Sequence, residues 1–105
     1  MDKLKVTTEE SNGVTIVRVS GEADMLSTEI LERALDRITV QRPPVVLLDL
    51  TGLTFLTSLG MGALARFSHS VKRNGQVRLH VPPGHVRDVL QRSRVIELFE
   101  QVDAV

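Results

Sequence analysis

One stretch behind a pair of prolines constrains this chain more than any other. Val45-Val46-Leu47-Leu48-Asp49-Leu50 is almost wholly aliphatic, follows Pro43-Pro44 and leads into Thr51-Gly52. So short and continuous an apolar run reads as a strand buried on both faces, as in the interior of a parallel sheet. A strand of that kind needs helices to cover it, and the flanking sequence supplies them.

Before the run, Leu4–Glu9 and Val14–Ser20 read as two strands joined by the hairpin signal Ser11-Asn12-Gly13. Ser27 or Thr28 can cap a helix whose apolar stripe is Ile30, Leu31, Ala34, Leu35 and Ile38. Glu29, Glu32, Arg33, Asp36 and Arg37 fall on its solvated side. Gln41-Arg42-Pro43-Pro44 ends it, because proline cannot continue a helix. After the run, a second helix is expected over Ser58–Asn74, with Ala63, Leu64, Phe67 and Val71 inward. Lys72 and Arg73 suit its C-terminus, and Gly75 is expected to be its left-handed stop.

Gln76–Val81 then alternates as a strand, and Pro82-Pro83-Gly84 turns. Val86, Val89 and Leu90 suggest a third short helix, and Val95, Ile96, Leu98 and Phe99 a patch that closes the core. Strands alternating with helices after a hairpin imply an α/β fold with a mixed, mostly parallel β-sheet. The chain, residues 1–105, reads as a single domain without repeats or linkers.

Composition narrows the function. Thirteen basic and thirteen acidic residues cancel, so no global field draws the chain to nucleic acid or an anionic membrane. Three Phe, no Trp and no Tyr leave little for a base-stacking surface. The absence of Cys removes thiol chemistry and Cys-based zinc sites, and it fits a cytoplasmic location. His69, His80 and His85 are scattered over a helix, a strand and a turn, so no metal site is expected. No segment resembles a signal region or a membrane helix.

The segment after the central strand carries the candidate site. Thr57 and Ser58 precede the helical pattern that begins near Leu59, where hydroxyls accept from free main-chain N–H groups. Gly60 and Gly62 are poor helix formers. A bare first turn would let a partner's backbone or a phosphate approach. From the residues alone, Ser58 is either a plain N-cap or a hydroxyl displayed to a partner. Sites in such sheets gather at the carboxyl ends of strands. Gly21-Glu22-Ala23-Asp24, after the Val14–Ser20 strand, would share that end with Thr57 and Ser58 if the two strands are neighbours. Asp24 could equally be a turn or cap residue, and Asp49 reads as structural, tying nearby N–H groups. Ser58 is not in a Gly-x-Ser-x-Gly elbow, and so small a domain offers no deep substrate pocket, so no catalytic residue is assigned. Gly60-Met61-Gly62 lacks the lysine and spacing of a nucleotide loop.

Three stretches together resemble the STAS domain, and within it the bacterial anti-sigma factor antagonists. They are Gly21-Glu22-Ala23-Asp24, Asp49-Leu50-Thr51-Gly52-Leu53-Thr54-Phe55 and Ser58-Leu59-Gly60-Met61-Gly62. Asn74-Gly75 before a strand and Pro82-Pro83 before a helix also fit. The resemblance implies a STAS fold and a binding regulator, not an enzyme, with no cofactor. It implies that Ser58 is phosphorylated by an anti-sigma factor that is also a serine kinase, and that a serine phosphatase resets the cycle. It places Asp24 at the kinase contact, and Thr57, Ser58, Leu59, Gly60, Met61 and Gly62 in the partner-binding segment.

Two departures stand out. Relatives usually carry Asp before the acceptor, where this chain has Thr57, so Thr57 is an alternative acceptor. They commonly carry a small residue after it, where this chain has Leu59. The carboxy-terminal helix common in relatives is expected to be short or missing. Two further readings use the same face: an accessory subunit of a membrane lipid-transport complex, with no phosphate exchanged, and a small-molecule-sensing module.

Overall fold

The computed structural model describes residues 3–105, in which six strands and three helices alternate. Strands β1 (Lys5–Ser11) and β2 (Val14–Ala23) form the hairpin expected from Asn12-Gly13. Both turn residues have positive φ, 52° and 81°, as a two-residue turn matching the twist of a hairpin requires. Helix α1 (Thr28–Val40), strand β3 (Val45–Asp49), strand β4 (Leu53–Leu56) and helix α2 (Ser58–Lys72) follow. Strand β5 (Gln76–His80), helix α3 (His85–Arg92), a 3₁₀ turn at Val95–Leu98 and strand β6 (Glu100–Gln101) complete the order.

The main sheet runs β1-β2-β3-β5-β6, with β4 paired to the end of β2. Among the described residues only the β1–β2 pairing is antiparallel. The fold is a single mixed α/β sheet domain. Strand alternation divides its faces. Val17, Val19, Val46, Leu48, Val77 and Leu79 meet Leu31, Leu35 and Ile38 of α1 and Leu64, Phe67 and Val71 of α2 in one core. On the other face Arg18 reaches Glu9 and Asp49. As expected for a central strand, β3 is buried on both faces. Asp49 holds the bend after it by accepting the N–H of Thr51 at 3.0 Å and its hydroxyl at 2.6 Å.

Four expectations need correction. Ile30 is 56 % exposed and lies outside the α1 stripe. Gly75 is not left-handed: the glycines with positive φ are Gly13, Gly21 and Gly84. Its need is space, because a Cβ there would lie 2.4 Å from the Pro44 carbonyl oxygen and 2.7 Å from that of Pro43. Strand β4 falls where the sequence suggests only a link, and β2 extends three residues past Ser20 to Ala23. Beyond Phe99, where a short or missing helix is expected, the described residues form β6. The closing patch is as expected, with Ile96 and Phe99 buried in the core. The buried Ser68 hydroxyl fixes it to α2 by donating to the Leu98 carbonyl at 2.6 Å.

Candidate functional site

The site is built where β2 and β4 end together. At Gly21, φ is 88° and the β2–β4 register shifts, so β2 carries a bulge there. Glycine suits that backbone because it lacks the Cβ that makes positive φ costly. Beyond the bulge Glu22 pairs with Phe55 and Ala23 with Leu56. The next residues of the two strands are Asp24 and Thr57, and the Thr57 N–H donates to the Ala23 carbonyl at 3.1 Å. The sequence expectation that Asp24 and Ser58 share a surface rests on the Val45–Leu50 strand. Those strands are neighbours, but the juxtaposition itself comes from β4.

Thr57, not Ser58, is the N-cap of α2. Its φ and ψ are −86° and 170°, and its hydroxyl accepts from the Gly60 N–H at 3.3 Å. Its carbonyl accepts from Met61 at 2.9 Å. That leaves Ser58 as the first helical residue with an exposed side chain. The two adjacent hydroxyls thus have different environments: one closes the helix and is half-buried, the other faces solvent. No acidic residue lies in the first turn of α2, so its N-terminal partial positive charge is not offset locally.

The rest of the segment divides as a helix must. Leu59 is 55 % exposed. Gly60 is buried, and a Cβ there would sit 2.7 Å from Leu56 Cδ1 and 3.7 Å from Ala23 Cβ. Its small size lets α2 begin close against β2 and β4, so the expectation that Gly60 clears room for a partner gives way to internal packing. Met61 is half-buried against the core. Gly62 is half-buried and would place a Cβ 3.2 Å from Arg66 Nη1, the end of a flexible side chain.

Asp24 is half-buried and occupied in the turn before α1. Its Oδ1 accepts from the Leu26 N–H at 3.0 Å and the Ser27 N–H at 2.9 Å. The Ser27 hydroxyl and then its N–H hold the Asp24 carboxyl below the ordinary aspartate value by stabilising the charged form. Asp24 therefore caps a turn as well as lying beside Thr57. This turn pushes apolar side chains outward: Met25 is 73 % and Leu26 92 % exposed. With Leu4 and Ile30, Leu26 lines a groove of about 430 Å³ whose polar lining is Lys3, Glu22, Asp24 and Ser27. The sequence reading misses these apolar groups. The helical period assigns Ile30 to the core, and nothing in the pattern marks Met25 and Leu26 as outward.

Phe55 of β4 is partly exposed and stacks on His85 with ring centroids 5.8 Å apart and planes 6° from parallel. His80 Nδ1 lies 3.1 Å from the Val102 carbonyl, and His69 is exposed on α2. Among the described residues no three His, Asp or Glu gather as metal ligands. None of their helices is long and apolar enough to cross a membrane.

The profile of the STAS domain matches residues 5–105. An anti-sigma-F factor antagonist, RsfB of Mycobacterium tuberculosis, is 31 % identical over 70 residues, which are 67 % of this chain and 57 % of that protein. The match thus spans little more than half the length of the curated relative. The crystal structure of an anti-sigma factor antagonist from Mycobacterium paratuberculosis superposes with a TM-score of 0.91 at 25 % identity, covering 99 % of this chain and 89 % of that one. SpoIIAA in its unphosphorylated form shares the fold at a TM-score of 0.75 and 20 % identity, over 93 % of this chain and 88 % of that one. With its profile matched almost end to end and anti-sigma factor antagonists among its structural neighbours, the chain belongs to the STAS domain family.

Proposed function

We propose that this protein is an anti-sigma factor antagonist: it binds an anti-sigma factor through the face around Asp24 and Ser58, and phosphate on Ser58 releases it. The observation that carries this reading is the contrast between the two hydroxyls. Thr57 is committed to the helix cap, whereas Ser58 is exposed beside Leu59. The apolar Met25, Leu26 and Ile30 beside Asp24 would supply the area for docking, and the named relatives support the partner class.

The switch is electrostatic. A phosphoserine carries about −1.5 to −2 charges near neutral pH. At the first position of α2 the helix dipole favours such charge by roughly 0.3–1 kcal/mol, so the fold persists. Across an interface, a carboxylate about 5 Å away at an effective dielectric of ~20 costs on the order of 3 kcal/mol per unit charge. That weakens binding about a hundredfold, at ~1.4 kcal/mol per factor of ten. The chain supplies the acceptor and the docking surface. The phosphoryl transfer belongs to the anti-sigma factor kinase, and a serine phosphatase restores the free hydroxyl.

The test is calorimetric titration of the anti-sigma factor kinase with unmodified and Ser58-phosphorylated protein, the site verified by mass spectrometry. Ser58→Ala should bind like the unmodified chain and resist release by ATP, and Ser58→Asp should bind weakly. Equal affinities for the two forms would refute the switch. Phosphate mapped chiefly to Thr57 would move the acceptor by one residue.

A further inference from the structure

Strand β1 ends the strand order, so one of its sides faces no other strand. Its register on β2 is unbroken from Lys5 opposite Ser20 to Ser11 opposite Val14. Alternate residues of such an edge present unpaired N–H and C=O groups outward, a template for another strand. Proteins commonly blunt edges with proline, a bulge or charge. β1 has no proline and no bulge, and its centre, Val6-Thr7-Thr8, is β-branched and favours extended backbone. Among the described residues only its charges guard it.

Those charges are segregated. Lys3 and Lys5 precede the centre, and Glu9 and Glu10 follow it. Facing residues in an antiparallel pair lie on the same side of the sheet, so a two-fold axis relating two copies must pass midway between a residue and its own equivalent. With the axis at Thr7, Lys5 falls opposite Glu9 of the second copy, and Glu9 opposite its Lys5. Thr7 meets its own equivalent. Lys5, Thr7 and Glu9 sit across from Ser20, Arg18 and Ile16, away from the helices, so no helix obstructs this face. Glu9 contacts Arg18 through Oε1, leaving Oε2 for a lysine. A parallel copy would instead set Lys against Lys and Glu against Glu. The pattern that repels most strands accepts a reversed copy of itself, which is specificity by charge.

We propose that β1 is a self-association edge, at which a second copy of this chain pairs antiparallel about Thr7 and joins the two sheets into one. The β1 edge is independent of the assignment of Ser58. A contact of one strand pair and two mirrored ion pairs makes a weak, salt-sensitive dimer.

Sedimentation equilibrium of the full chain up to about 1 mM, the weak end of the affinity scale, tests this. Wild type should shift from monomer toward dimer as concentration rises. Lys5→Glu and Glu9→Lys each place two like-charge pairs across the axis and should lower self-affinity at least about tenfold. In an equimolar mixture of the two variants, both acidic side chains of the Lys5→Glu copy face lysines of the Glu9→Lys copy, and a heterodimer should be recovered. A wild type that stays monomeric, single variants that dimerise unchanged, or a mixture without recovery would each overturn the proposal. Amide exchange of the unaltered protein gives a check without substitutions: raising the concentration should slow exchange in β1. Slowing confined to other elements would place the interface elsewhere and overturn it too.

Discussion

The N–H of Asp24 donates to Ser27 Oγ at 3.0 Å while the N–H of Ser27 returns a bond to Asp24 Oδ1 at 2.9 Å. Two side chains three residues apart thus satisfy each other's main chain before α1 begins, the geometry of a capping box. Asp24→Ala should lower the melting temperature, and Asp24→Asn by less, because the amide oxygen can still accept. The folded pKa of Asp24 lies below its unfolded value. Its carboxylate stabilisation is therefore fully present above the unfolded value of about 4 and is lost as pH falls through the folded value. Thermal scans from about pH 7 down to pH 2 should show the gap between wild type and Asp24→Asn closing. A gap that widens on acidification would contradict this assignment.

Thr57 and Ser58 should separate cleanly in stability. Thr57→Val removes the cap acceptor and should cost about 1 kcal/mol, a drop of roughly 5 °C for a domain of this size. Thr57→Asp keeps an acceptor and adds a charge that the helix end favours by roughly 0.3–1 kcal/mol, so it should melt no lower than wild type. Ser58→Ala and Ser58→Asp, on an exposed side chain, should stay within about 0.5–1 kcal/mol of wild type. Differential scanning calorimetry decides the matter. A large loss from Ser58→Ala would mean that Ser58 supports the helix.

Leu26, at 92 % exposure, contributes little to the core. Leu26→Ser should leave stability within about 0.5 kcal/mol. If the groove beside Asp24 is the docking surface, its affinity for the anti-sigma factor should fall about tenfold, the loss of an interface anchor worth ~1.4 kcal/mol. Undiminished binding would move the interface off this groove.

Gly75 distinguishes space from backbone conformation. Gly75→Ala puts a Cβ into the carbonyl groups of Pro43 and Pro44, which are main-chain atoms that cannot rotate away. The backbone shift should cost about 1–3 kcal/mol. Gly75→Asn, tolerated at left-handed stops, should do no better here. An Asn variant as stable as wild type in urea would revive the left-handed stop.

Those outcomes trace where the sequence is readable. The hairpin is legible because Asn12-Gly13 between two extended stretches is a strong two-residue turn signal. Strand β3 is legible because its aliphatic run, broken only by Asp49, leaves no polar face. Strand β4 is not, since Leu53-Thr54-Phe55-Leu56 is shorter than a full alternation and sits between Gly52 and a helix start. Its identity comes from pairing with Gly21–Ala23, far away in the chain. Ile30 fits the helical period, but Thr28 and Leu31 take the buried positions in the first turn of α1 and leave Ile30 outside the stripe. Neighbouring Thr57 and Ser58 look alike as letters; only the angle at which α2 leaves β4 tells a cap from an exposed hydroxyl.

The bond from the Thr57 N–H to the Ala23 carbonyl has one more consequence. It clamps the residue before Ser58 to a different strand, and α2 clamps the residues after it. An enzyme that modified Ser58 would therefore meet a locked corner of a folded body and could not draw the chain through its cleft as an extended substrate. A free peptide cut from this region would carry the same letters without the corner. Whatever reads Ser58 must read the surface of the whole domain.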